Sequence, residues 1–103
     1  HGDQWIAELV EGLDHNRHLL SALLNEHLPQ VRYRLPQATY LSWLDCRALD
    51  LGDDPADVFL SRGKVALNSG LDFGVEGAGF VRLNFATSPE MLTMLVERMA
   101  SVV

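Results

Sequence analysis

With 103 residues, 48% hydrophobic and 21% charged, the chain suits one small globular domain with a modest core and is too apolar for disorder along most of its length. Its net charge of -6 disfavours nucleic acid or anionic lipid as a partner, and no apolar run approaches the roughly 18 residues needed to span a bilayer. The single cysteine, Cys46, excludes an internal disulfide and suits a reducing, cytoplasmic compartment; no stretch reads as a secretory leader.

The sequence starts at His1 and enters a helical pattern almost at once, as expected of an excised domain or a processed terminus. Residues 3–28 predict one long helix. Trp5, Ile6, Leu9, Val10, Leu13, Leu20, Leu23, Leu24 and Leu28 recur at helical spacing, with Asp3 as N-cap and Pro29 as the stop. At 1.5 Å per residue such a helix outruns the roughly 26 Å diameter of a compact chain of this size, so one end should overhang and dock on a missing neighbour. Gly12, Asp14 and Asn16 mark the place for a bend or break.

Val31, Tyr33 and Leu35 alternate with Arg32 and Arg34, the pattern of a half-buried strand. After Pro36-Gln37-Ala38, residues 39–46 predict a second strand, apolar on both faces through Tyr40, Leu41, Trp43 and Leu44 and so suited to a central position. The short connection makes the two antiparallel. Asp54-Pro55 should open a short helix that Gly63 stops. A third strand is expected at Val65-Ala66-Leu67, a glycine-rich loop over 68–79, and a fourth strand over 80–85. Ser88-Pro89 should open a last helix with Met91, Leu92, Leu95, Val96 and Met99 as its apolar stripe. The expected fold class is α+β: a small, mainly antiparallel sheet of about four short strands with helices on one face, the other left free for a ligand or partner.

In the fourth strand, alternation sends Phe80, Arg82 and Asn84 to one face and Val81, Leu83 and Phe85 to the other. If the apolar trio packs on the helices, Arg82 and Asn84 look out from the free face. An arginine there can grip a carboxylate through two charge-assisted hydrogen bonds. From pattern alone the commoner case is an exposed arginine paired with a surface acid. The loop from Gly70 to Gly79 is neither a dinucleotide fingerprint nor a phosphate loop, because it feeds a strand and lacks Gly-Lys-Ser/Thr. Phe73 within it suits packing on a ligand or a second domain. His15 and His18 stand three apart on a helix without a further ligand cluster, so the spacing alone does not make a metal site. Cys46 suits a buried thiol, and the one lysine, Lys64, a solvated charge at a helix end. No serine has a nucleophile-elbow context.

Three stretches carry a resemblance. They are Asn16-Arg17; Ala38-Thr39-Tyr40-Leu41-Ser42-Trp43-Leu44-Asp45-Cys46-Arg47; and the run from Lys64-Val65-Ala66-Leu67 through Gly70, Phe73-Gly74 and Gly77 to Gly79-Phe80-Val81-Arg82-Leu83-Asn84-Phe85-Ala86. Together they resemble the C-terminal small domain of a fold-type I pyridoxal-phosphate enzyme, in the cystathionine β-lyase-like branch of the aminotransferases. The resemblance covers nearly the whole of residues 1–103 and is most specific in the third stretch. It implies a longer parent whose large domain, absent here, binds pyridoxal 5'-phosphate and carries the Schiff-base lysine. It implies that Arg82 binds the α-carboxylate of an amino acid substrate, with Asn84 and Phe73 as further candidates for substrate contact. Lys64 matches a structural position, so this chain alone should be inactive. The parent would carry out β-elimination at a C–S bond or transamination, closing its small domain over the substrate, as a homodimer. Where the pattern has glutamate-glycine before the Thr-Tyr pair, this sequence has Gln37-Ala38. The alternative expectation, from small size, acidic surface and lack of a local catalytic set, is a non-catalytic α+β binding or regulatory module.

Overall fold

The computed structural model describes residues 2–33 and 41–103, and for residues 2–10 the course of the backbone alone. The expectations for residues 34–40, the Tyr40 position and the Pro36-Gln37-Ala38 connection among them, lie outside the described residues, as does the side chain of Trp5.

Helix α1 runs unbroken over Gly2–His27. Asp3 therefore lies within the helix instead of capping it, and the weak residues at 12, 14 and 16 do not interrupt it. Side chains 11–15 are exposed or half-buried; burial starts at Asn16 and continues through Leu20, Leu23 and Leu24. A β-carbon at Gly12 would meet nothing within 4 Å. At about 39 Å of rise, α1 sets the long dimension of a molecule measuring 47 × 27 × 21 Å. Among the described side chains of α1, none before Asn16 is buried in the core.

Four strands follow among the described residues: β1 (Arg32–Tyr33), β2 (Leu41–Asp45), β3 (Asn68–Ser69) and β4 (Phe80–Asn84). They form one antiparallel sheet in the order β1-β2-β4-β3. β2 is internal, as its two apolar faces require. The third strand is displaced from the expected 65–67 to Asn68–Ser69. The apolar side chain of Val65 is instead buried in the core beside the helix end, while Ser69 Oγ donates to Asp54 Oδ1 at 2.7 Å. That bond also explains why Asp54 does not cap helix α2 (Pro55–Gly63): its carboxylate is turned to Ser69.

The stop of α2 also differs from expectation. Lys64, not Gly63, takes the left-handed conformation, with φ 58°. Gly63 instead permits close approach: a β-carbon there would lie 3.0 Å from the Arg98 carbonyl oxygen and from a Val102 methyl. Helix α3 spans Pro89–Ala100, and the Ser88 hydroxyl caps it by accepting from Met91 N at 3.1 Å. Of its expected stripe, Leu92, Val96 and Met99 are fully buried, whereas Met91 faces solvent.

The core lies between the helices and one face of the sheet. Leu44, Val81 and Leu83 from the strands, with Phe85 just beyond β4, meet Leu20, Leu24, Phe59, Leu92 and Val96 from the helices. Each such side chain contributes about 1.5–3 kcal/mol on burial. Asn16 pins α1 to the end of β4, its Nδ2 donating to the carbonyl oxygens of Phe85 (2.9 Å) and Thr87. The Tyr33 hydroxyl fastens β1 to α1 through Ser21 Oγ (2.7 Å) and Asn25 Oδ1 (3.0 Å). With one face consumed in this way, no helix among the described residues covers the opposite face of β2 and β4.

Candidate functional site

The site is built on a single row across the open face. In register, Trp43 on β2 lies opposite Arg82 on β4, and Arg82 lies opposite Asn68 on β3. Residues so paired project to the same side of the sheet. Phe80, two positions before Arg82, adds a second aromatic ring to that side.

The glycine-rich segment supplies the third ring, in an ordered form. It winds through two short 3₁₀ turns, Gly70–Phe73 and Val75–Gly77. The two turns touch backbone to backbone. A β-carbon on Gly77 would fall 1.9 Å from the Gly70 carbonyl oxygen, and one on Gly70 2.7 Å from that of Phe80. Only glycine fits at these positions. The first turn is held by Ser69 Oγ, which accepts from Leu71 N at 3.2 Å. The effect is to set Phe73 over Arg82, the guanidinium carbon 4.5 Å from the ring centroid. Trp43 packs edge-to-face on Phe73 (5.2 Å, 77°) and on Phe80 (6.5 Å, 75°). Trp43 and Phe73 remain 42% and 50% exposed, so this aromatic cluster faces outward.

Within the cluster the cation lacks an anion. Arg82 Nη2 reaches Asn68 Oδ1 only at 3.5 Å, its Nε is buried without a hydrogen-bond partner, and no described carboxylate comes within 4.0 Å of the guanidinium. Arg47 is the local contrast. Its Nε and Nη2 donate to the two oxygens of Asp45 at 2.9 and 2.8 Å, and its backbone N donates to Asp45 Oδ1 at 3.1 Å. The side-chain hydrogen bond from Arg47 holds the Asp45 carboxyl below its usual range despite partial burial. Arg47 also lies over Phe80, 5.1 Å from the centroid. One arginine at this face has its charge matched; the other carries five donors, mostly unused, beside aromatic walls.

Asn84 is exposed on the same strand face, but its Oδ1 accepts from Ala86 N at 2.8 Å and closes the turn after β4. Its carboxamide nitrogen makes no hydrogen bond among the described residues. Arg82 and Phe73 are thus in direct contact, and Asn84 stands one alternate position along. Sequence reasoning missed the partnership of Phe73 with Arg82 and the place of Trp43 in it. The latter was readable, because the parity that exposes Arg82 on β4 exposes its cross-strand neighbour as well.

The other candidates lie elsewhere. His18 Nε2 is 3.8 Å from Asp14 Oδ2, while His15 lines a separate cleft of about 430 Å³ with Leu13, Thr87 and Pro89. Among the described residues, no three His, Cys, Asp or Glu side chains come together as a metal site would need. The Lys64 ammonium donates to the Ser61 carbonyl oxygen at 3.2 Å at the end of α2. Cys46 is buried, and desolvation, with the Asp45 charge adding to it, pushes its thiol up to about 12. Among the described residues, no helix is long and apolar enough to cross a membrane.

No family profile matches the chain. Curated proteins and solved structures do. A proposed cystathionine β-lyase of Mycobacterium tuberculosis is 49% identical across 96% of this chain, and the cystathionine β-lyase PatB of Bacillus subtilis is 39% identical across 84%. The crystal structure of a pyridoxal-phosphate-bound protein of Clostridium difficile, described as a proposed aminotransferase, superposes on 99% of the chain with a TM-score of 0.91 and 35% identity. The chain spans only about a quarter of each: 28%, 23% and 27% of their lengths.

Proposed function

We propose, from the premise that the chain is homologous to the C-terminal part of fold-type I pyridoxal-phosphate enzymes of the cystathionine β-lyase-like branch, that residues 1–103 form the small domain of such an enzyme and that Arg82 binds the α-carboxylate of its amino acid substrate. One observation carries the reading: the open face presents a guanidinium seated on the Phe73 ring and, among the described residues, without an anion. Carboxylate is the ligand whose geometry and charge a guanidinium fits best.

The residues of this chain fit the substrate end of such a site and not the anchors of the cofactor. The open face offers no lysine, since Lys64 is spent at the end of α2. Pyridoxal 5'-phosphate and its lysine are therefore assigned to the remainder of the longer enzyme. When bound, the pyridoxal ring supplies an electron sink for the negative charge that develops at the substrate Cα. Arg82 neutralises the carboxylate and fixes the substrate at one end, so that the Cα–H bond is presented in one orientation. Trp43, Phe73 and Phe80 exclude water from that ion pair and strengthen it by lowering the local dielectric. β-Elimination of a thiolate and transamination both start from loss of the Cα proton, so this function of Arg82 is common to both. Asn84, whose carboxamide nitrogen makes no hydrogen bond among the described residues, is a second candidate donor to the substrate. The parent is assigned to the cytoplasm, a reducing compartment suited to the buried, unpaired Cys46 of this chain, and to a homodimer on the family resemblance alone.

Two measurements test the reading. The visible spectrum of the full-length protein should show a yellow band that borohydride abolishes. Arg82→Gln in that holoenzyme should lower kcat/KM for S-methyl-L-cysteine about 100-fold, the scale of two lost charge-assisted hydrogen bonds, while leaving the band and the fold intact. An unchanged kcat/KM would exclude Arg82 from substrate binding.

A further inference from the structure

The contact between Phe73 and Arg82 assigns a role to the glycine-rich turns beyond closing a chain reversal. Phe73 is a half-exposed aromatic residue, yet it is held rigidly. Its turn is locked by the backbone contact of Gly70 with Gly77 and by the bonds of Ser69 to Leu71 N and Asp54. Trp43 meets its ring at 77°, which fixes the ring's tilt. The guanidinium carbon lies over the ring, 4.5 Å from its centroid, and Nε is shut off from solvent without a partner among the described residues. The Nη edge is what remains for a ligand to meet.

We infer that Phe73 is a positioning residue for Arg82, holding the guanidinium flat so that a carboxylate is received end-on by Nη1 and Nη2 and discriminated from its neutral carboxamide. The inference rests on the reading of Arg82 as carboxylate anchor. Phe73 acts through Arg82 and not by touching the reacting atoms. An arginine without the ring swings among rotamers and sacrifices binding to the entropy of being ordered.

The test uses the full-length holoenzyme and two probes that lack the reactive amine, 3-(methylthio)propanoate and 3-(methylthio)propanamide, titrated by calorimetry. The readout is the ratio of their affinities. Phe73→Leu, which keeps bulk and loses the π face, should lower the ratio about three- to tenfold, the range a partly desolvated cation–π contact commands. Phe73→Tyr, which restores the face, should recover most of it. In an Arg82→Gln background, Phe73→Leu should change nothing further. The inference is overturned if Phe73→Leu weakens both probes equally, or if its effect persists without the arginine. If Arg82→Gln itself leaves the ratio intact, the anchor reading fails and this inference with it. If Arg82→Gln abolishes the ratio and Phe73→Leu does not alter it, only the inference fails.

Discussion

Strands β2 and β4 carry two faces that alternate residue by residue and have opposite needs. On the covered side Leu44, Val81 and Leu83 are wholly buried, each packed in the core formed with the helices. On the open side Trp43 keeps 42% of its surface exposed, and Arg82 holds a charge that nothing in the described chain neutralises. The covered face is filled by the chain's own side chains; the open one, in the function proposed above, receives a ligand. On the proposed function, moving one residue along β4 should change what a substitution damages, from folding on one parity to binding on the other.

The largest expected effect strains this division hardest. Phe85→Ala, just past β4 on the covered side, should cost about 3–5 kcal/mol in urea unfolding, as for a fully buried aromatic side chain. Trp43→Ala on the open side should cost less, about 1–2 kcal/mol, because two edge-to-face contacts and a half-buried indole are lost without a sealed cavity being left. Similar costs at the two sites would dissolve the comparison.

A middle-sized effect sharpens it. Asn16 is nearly buried and ties α1 to the segment leaving β4. Asn16→Ala strands the carbonyl oxygens of Phe85 and Thr87, but also removes an Oδ1 that has no partner of its own. The net loss should be about 1–2 kcal/mol, measured as a shift in urea midpoint at constant slope. A stabilised variant would mean that the orphan oxygen outweighs both bonds.

The smallest effect is one of pH. Folding holds the Cys46 thiol near 12 against a reference of 9.0, by burial first and by the Asp45 charge second. Below about pH 9 both states keep the proton and the thiol adds no pH dependence. Above it the unfolded chain ionises while the folded one does not, so stability falls as pH rises through that window. Between pH 8 and 9.5 the loss should stay under about 1 kcal/mol, and the slope should vanish in Cys46→Ala. A thiol that reacts with a disulfide reagent in the folded protein at pH 8 would contradict this burial.

How far the sequence could be read follows the range of the interactions involved. Helix α3, its Ser88 cap and the inward parity of β4 rest on neighbours within a few residues, and they agree with the structure. The third strand moved because Val65 is claimed by the core at the end of α2 and Ser69 by Asp54, fifteen residues away. Gly63 was misread as a stop because its missing side chain serves contact with α3, thirty-five residues on, leaving Lys64 to turn the chain. Of the candidate site, the outward face of Arg82 was legible from alternation. The seat of Phe73 upon it was not, because it depends on two glycine backbones meeting across a turn.

Trp43 lies on the open face with its indole edge against Phe73 and its surface partly in water. It is one of two tryptophans in the sequence, the other being Trp5. In a Trp5→Phe background residues 1–103 on their own thus carry a single indole, an optical gauge of this face. Emission from the remaining indole will be red-shifted while the face is wet and will move to shorter wavelength when something covers it, so occupancy of this surface can be followed without attaching a dye.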